Sequence, residues 1–352
     1  MLGDVGQEGA GPLPDPPPQA GEGIVHILCT GAAGMIGRKL AARLAKDGAL
    51  GGRAISCLTF TDMVGPPQPV DGGGAEIVTT AFDFAMPGAA EQAIAGRPDV
   101  IFHLAAIVSG EAETDFDKGY AVNFAGTRAL LEAIRLAGER YRPKVVFASS
   151  IAVFGAPFPE AIPDDFIHTP LTSYGTQKAM SELLLADYSR RGFLDGIGIR
   201  LPTIVVRPGK PNKAASSFFS SIIREPLAGQ EAVLPVDEGV RHWFASPRAA
   251  VGFLVHAAEF DRDRLGPRIN LTMPGVCCTV GEEIASLARI AGPKVAARIR
   301  REPDALVARI VAGWPQKFDA RRATALGFSA EASFDDIIRA HIDDELGGRF
   351  AA

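Results

Sequence analysis

The chain has 352 residues, 47% of them hydrophobic and 22% charged, which is the composition of an ordinary globular protein and excludes a chain disordered along its whole length. Lys and Arg total 36 against 41 Asp and Glu, a net charge of -5, so there is no global electrostatic reason to bind nucleic acid or an anionic membrane. Glycine departs from the average: 39 of 352 is about 11%, against a usual figure of about 7%, so some part of the fold needs tight turns or close backbone approach.

Residues 1–23 are rich in Gly and Pro and lack the apolar stretch of a signal peptide, so they read as a flexible tail outside the fold. No run of 18 apolar residues appears, and a transmembrane helix is not expected. The four cysteines, Cys29, Cys57, Cys277 and Cys278, make no C-x-x-C pair, and with six scattered histidines they give no zinc spacing. The expectation is no metal and a reduced, cytoplasmic compartment.

The ordered chain opens with a short apolar run, Ile24 to Cys29, that enters Thr30-Gly31-Ala32-Ala33-Gly34-Met35-Ile36-Gly37. This reads as a buried strand followed by a glycine-rich turn. Ile36, Leu40 and Leu44 then recur at helical spacing until Gly48, which predicts an amphipathic helix. Further strands are predicted at 54–60, ending at Asp62, and at 76–80, 100–104, 144–148 and 198–206. Long helices are predicted at about 114–140 and 173–191, and later helices at 247–260 and 280–290. Strands alternating with helices predict a doubly wound α/β fold of Rossmann type, with a parallel sheet covered on both faces. The pattern changes after Val206. The expected division is a cofactor domain of residues 24–207 and 236–272, with a smaller, discontinuous C-terminal substrate portion of 208–235 and 273–352.

Gly31-x-x-Gly34-x-x-Gly37 sits between a strand and a helix, where free backbone N–H groups and the positive end of the helix dipole can meet a pyrophosphate. Met35 and Ile36 belong to the same helix start. Asp62, 25 residues after Gly37, stands where a carboxylate would hold the adenosine ribose hydroxyls and repel a 2′-phosphate, so NAD is expected rather than NADP. Downstream, Ser149-Ser150 ends a strand, and Tyr174 and Lys178 lie four residues apart on one helix face. A phenol with a pKa of about 10 is a poor base at neutral pH; lowering it by about 3 units takes about 4 kcal/mol, which a cation about 4 Å away supplies at an effective dielectric near 20.

With these motifs the sequence resembles the extended short-chain dehydrogenase/reductase family across residues 24–345. The resemblance is carried by T-G-x-x-G-x-x-G, Asp83-Phe84, H-L-A-A at His103 to Ala106, V-N-F-A-G-T at Val122 to Thr127, S-S-I-A-V-F-G and Y-x-x-x-K. It implies that Ser150, Tyr174 and Lys178 are catalytic and that NAD is the cofactor. It also implies that Asp83 and Phe84 meet the adenine, that Leu104, Ala105 and Ala106 line the cofactor with Leu201, and that Asn123 supports the active-site helix. Family dehydratases carry an acidic pair after the catalytic Ser or Thr, whereas Ile151 and Ala152 follow Ser150 here. Epimerases of nucleotide sugars carry an R-D-[FY]-[IV]-H-V-x-D segment, of which the Arg alone is clear in Arg241-His242-Trp243-Phe244.

The stretches Val108–Glu113, Ser189–Gly196 and Arg207–Phe218 resemble the branch of the family that oxidises a four-carbon sugar acid, D-erythronate, to its 2-oxo acid. On that resemblance Arg241 is expected to grip the substrate carboxylate, with Ser109, Ser150, Tyr174 and Ser217 as its polar partners. The alternatives are a nucleotide-sugar 4-epimerase or a dehydrogenase of a short substrate such as threonine. Two long helices pair between subunits in many relatives, so a homodimer is expected.

Overall fold

The computed structural model describes residues 23–69, 73–209 and 216–351. The tail expected at 1–23 therefore falls outside the described residues except for Gly23. The first strand, β1 (Ile24–Thr30), is buried from Ile27 onward and pairs in parallel on both sides, with β2 (Arg53–Asp62) and β4 (Val100–His103). Between them, α1 (Met35–Asp47) buries Leu40, Ala41 and Leu44 against the sheet. It stops at Gly48, whose left-handed backbone (φ 62) lets its N–H donate to the Leu44 carbonyl. Burying each such leucine stabilises the fold by about 1.5–3 kcal/mol.

The sheet continues through β3 (Glu76–Ala81), β5 (Lys144–Ser150) and β6 (Asp195–Leu201), with α2 (Ser109–Thr114), α3 (Thr127–Leu136) and α4 (Ser173–Arg190) between the later strands. The remaining elements that bear on the site are β7 (Thr203–Ile204), α5 (Ser217–Leu227), β8 (Arg241–Ala245), α6 (Pro247–Glu259), β9 (Asn270–Thr272), β10 (Val276–Thr279), α7 (Val280–Ala291) and α8 (Phe334–Leu346). The parallel strands run in the order 3-2-1-4-5-6-9, and Ala49–Leu50 adds a short antiparallel edge on β2. The order reverses between β1 and β4, so a crevice opens at the carboxyl ends of these strands, where doubly wound folds bind their ligands. The glycine turn leaves the end of β1, and Ser150 is the last residue of β5.

Two expected elements differ. The helix expected at 114–140 is broken at Asp115, passes through a π-helical turn at Tyr120–Gly126 and ends at Leu136, because Asp115 caps the next turn by accepting from the Lys118 N–H. The strand expected at 198–206 is two pieces. Its first part, β6, follows the sheet to Leu201; after Pro202, which has no N–H for a ladder, β7 leaves to pair with β8.

Two apolar cores result. One lies on the parallel sheet and includes Ile27, Leu28, Phe102, Phe147, Ile199 and Phe253. The second joins Val205 and Val206 to α5, α7 and α8 through Phe219, Ile222, Phe244, Leu287 and Ile337. Ala323 and Phe328, far along the chain, return to the first core.

Candidate active site

Three glycines shape the turn after β1, each for a different reason. Gly31 has φ +74, and a Cβ there would stand 2.6 Å from the Ala105 nitrogen. A Cβ on Gly37 would stand 2.3 Å from the Gly31 carbonyl oxygen, so α1 could not pack on the turn. A Cβ on Gly34 would meet only Gly31 O, at 3.2 Å, which leaves that side open for a ligand to approach the backbone. Gly34 caps α1 without a side chain, and the first turn, with Met35, Ile36 and Gly37, carries no acidic residue. The N–H groups at this helix start are available to an anion.

Asp62 lies beside them at the end of β2. One carboxylate oxygen accepts from the Ala33 N–H at 2.9 Å and the other from the Met63 N–H at 2.7 Å. The carboxylate is thus fixed against the glycine turn with lone pairs remaining for ribose hydroxyls. These residues fit a dinucleotide: a bare helix start for the pyrophosphate, and an acid placed for the ribose.

The segment after β4 closes on the same turn, with Leu104 N–H donating to Thr30 O (3.1 Å) and Ala105 N–H to Thr30 Oγ1 (3.3 Å). Leu104, Ala105 and Ala106 are half-buried there. Asp83 holds the next turn by accepting from the Ala85 N–H. The Phe84 ring is core, packed between Phe82 and His103. Asn123 is buried and acts as a brace. Its Oδ1 accepts from Ile107 N–H, and its Nδ2 donates to Ile107 O and to Gln177 Oε1. Leu201 ends β6 opposite Ser150.

The structure brings Ser150, Tyr174 and Lys178 together. Thr172 caps α4 by accepting from the Gly175 N–H at 3.0 Å, and a Cβ on Gly175 would stand 2.2 Å from Ala152 O. Glycine directly after the tyrosine therefore lets the helix start rest on the backbone that follows Ser150, close enough for Ser150 to hold down the Tyr174 pKa. Lys178 is buried; its Nζ donates to Ala148 O at 2.8 Å and lies 4.7 Å from the Phe147 ring centre and 5.8 Å from that of Tyr174.

The electrostatics differ from the expectation based on spacing. Burial pushes Tyr174 up to about 12, only partly opposed by Ser150, and burial pulls Lys178 down to about 8, partly opposed by Glu182. Lys178 is directed at the Ala148 carbonyl, and burial of the phenol outweighs the attraction that the spacing suggested.

Several residues around this site had no role in the sequence reading. Glu182, one turn beyond Lys178, is fully buried; it accepts from Ser149 Oγ (2.5 Å) and from Arg200 Nε and Nη2 (3.0 and 2.8 Å). It thereby ties α4 to β5 and β6. The extension of Y-x-x-x-K to a glutamate four residues on was the available signal.

The substrate candidates are more dispersed. Ser109 begins α2 and Ser217 begins α5, both half-buried. Arg241 is exposed at the start of β8, opposite Thr279, and has no ion pair among the described residues. Arg207 is half-buried. Its Nη2 donates to Ser216 O and Oγ at 3.2 and 3.3 Å, and it too has no carboxylate partner among the described residues.

The model of the NAD dependent epimerase/dehydratase family matches residues 27–271. The chain belongs to that family. NAD is its cofactor. The chain is 48% identical to the D-erythronate dehydrogenase of Cupriavidus necator, over 91% of this chain and 98% of that one. It is 42% identical to the D-erythronate dehydrogenase of Haemophilus influenzae, over 92% and 100%. Among solved structures, the nucleoside-diphosphate-sugar epimerase from Agrobacterium tumefaciens superimposes with a TM-score of 0.91 at 60% identity, covering 95% of this chain and 98% of that one. L-threonine dehydrogenase from Cupriavidus necator shares the fold, with a TM-score of 0.78 at 22% identity, covering 91% and 99%.

Proposed function

We propose that the protein oxidises a small sugar acid, D-erythronate, at C2 to the 2-oxo acid, with NAD as oxidant. The observation that carries this reading is the near full-length likeness to two D-erythronate dehydrogenases, in a chain that holds Ser150, Tyr174 and Lys178 around one crevice.

Bound NAD supplies the hydride acceptor and a positively charged ring. Tyr174, as tyrosinate, takes the proton of the C2 hydroxyl, and Ser150 donates a hydrogen bond to the oxygen on which charge develops. Lys178 is placed to hold a ribose hydroxyl and to favour ionised Tyr174. Asp62 favours NAD over NADP because a 2′-phosphate would meet its carboxylate.

The carboxylate of a sugar acid needs a cation. Arg241 and Arg207 are both available. The half-burial of Arg207 without a carboxylate partner among the described residues favours it, since an uncompensated charge out of water gains most from an anionic ligand. On this reading residues 24–207 and 236–272 hold the cofactor, while 208–235 and 273–352 shape the substrate side.

The test is NADH release into solution with erythronate, threonate, glycerate, threonine and a UDP-sugar. The proposal expects NADH with erythronate. Release with threonine alone, or conversion of the UDP-sugar without free NADH, would overturn it.

A cytoplasmic location accords with the four free thiols, and among the described residues no helix is long and apolar enough to cross a membrane. A homodimer through α3 and α4 accords with the outward-facing Leu136 and Leu183, 64% and 65% exposed. A solution mass of one chain would remove it.

A further inference from the structure

His103 is buried at the end of β4, and neither the mechanism nor the substrate reading uses it. Its ring lies between two equally buried threonines: Nδ1 is 2.8 Å from Thr30 Oγ1, and Nε2 is 2.9 Å from Thr127 Oγ1. The donors can be assigned without seeing a hydrogen. Thr127 Oγ1 lies 2.8 Å from Asn123 O, which can only accept, so the single hydroxyl proton of Thr127 goes there. Towards His103, Thr127 must accept, and Nε2 therefore carries the ring proton. Thr30 then donates to the bare Nδ1, while its oxygen accepts from the Ala105 N–H.

We propose that His103 is the positioning residue that couples the cofactor turn to the catalytic helix, and that it does so as a neutral imidazole protonated on Nε2. On one side its chain of hydrogen bonds reaches Thr30, next to Gly31, and Ala105 in the cofactor-lining segment. On the other it reaches Asn123, which braces Ile107 and also Gln177, the residue before Lys178, on the catalytic helix. Each threonine hydroxyl in this path has one proton and one acceptor, so a second proton on the ring would leave Thr30 Oγ1–H without its partner.

The surroundings favour the neutral ring. His103 stacks on Phe147 with centres 5.8 Å apart, and Lys178 Nζ lies 4.7 Å from that phenyl ring. Burial, with the Lys178 charge adding to it, pushes the imidazole down to about 3. The inference concerns the shared cofactor machinery and does not depend on which alcohol is oxidised.

Two measurements test it. In the intact protein labelled with ¹⁵N-histidine, one ring, identified by its loss in His103→Gln, is expected to show protonated Nε2 and bare Nδ1, unchanged from about pH 8 to about pH 5.5, across the ordinary histidine range. Protonated Nδ1, or titration near about 6.5, would overturn the proposal. In the second, His103→Phe keeps the ring stacking but removes both nitrogens, and is expected to weaken NADH binding and lower kcat together by about tenfold. His103→Gln offers one acceptor and one donor at similar separation and is expected to recover most of both. A folded His103→Phe protein with unchanged NADH affinity and kcat would also overturn it. If that variant does not fold, the ¹⁵N measurement on the unaltered protein still decides.

Discussion

Tyr174 must lose a proton to act as base, yet its buried phenol holds that proton up to about 12 while Lys178 sits at about 8. The fraction ionised rises about tenfold per pH unit below its pKa. We therefore expect kcat/KM for oxidation to climb through neutral pH and to flatten above about pH 8, where Lys178 becomes neutral and stops favouring the phenolate. A profile flat from about pH 6 to about pH 9 would contradict this assignment of the base. Tyr174→Phe should lose at least about 100-fold in kcat and still bind NADH. The two arginines give a second test. Removing a bidentate grip on the substrate should raise KM, so Arg207→Ala should do so by at least about tenfold and Arg241→Ala by less. The reverse ranking would return the carboxylate to Arg241. Ser150, Tyr174 and Lys178 were legible in the sequence because a strand end and a helical i, i+4 pair are local signals. Arg207 as a candidate was not, because the lack of a carboxylate partner among the described residues is a property of tertiary surroundings. The lysine's direction was equally hidden: spacing puts it on the right face of α4 but does not say that its Nζ is held by Ala148 O.

At the scale of elements, the glycine turn separates packing from binding. Gly37→Ala would drive a methyl to 2.3 Å from Gly31 O, backbone that cannot move without lifting α1 from the sheet, so a loss of at least about 2 kcal/mol in unfolding free energy is expected. Gly34→Ala meets one atom at 3.2 Å and opens otherwise towards the ligand side. That variant should remain close to the parent in urea melts while its NADH affinity falls. Equal loss of stability in both would mean that the turn serves packing alone. Such elements were readable where pattern and punctuation agreed, as in α1 with Gly48 at its end. The strand order 3-2-1-4-5-6-9 was not readable from periodicity, since it records which apolar runs lie side by side. The break at Asp115 and the departure of the chain after Pro202 belong to the same class: a local cap and a missing N–H redirected segments whose apolar pattern would have continued.

For the molecule as a whole, buried ionisable groups set how stability responds to acid. His103 and His242 are held down to about 3 and about 4 by burial, the latter in a stack on Phe219 with Nε2 on Thr203 Oγ1. Their folded values lie below the unfolded value of about 6.5, so between these limits the unfolded chain binds more protons. Stability is complete above about pH 6.5 and is lost as pH falls towards 4 and 3. At about pH 5 each ring accounts for about 2 kcal/mol. His26, His168 and His341 are shifted the same way, less far. Glu283 opposes them. It is fully buried on α7, neither oxygen has a hydrogen-bond partner among the described residues, and burial raises its carboxyl well above the ordinary range. With its folded value raised above the unfolded one, it costs stability at higher pH, a cost that disappears as pH falls through the unfolded carboxylate value. Glu283→Gln keeps the shape and removes that cost. The variant should therefore be more stable than the parent at about pH 8, and the advantage should shrink by about pH 4.5, because the unfolded glutamate is then largely protonated as well. Urea midpoints of both proteins at the two pH values decide it: a constant difference between them would mean that Glu283 is ionised in the folded protein, with a counter-charge that reaches it.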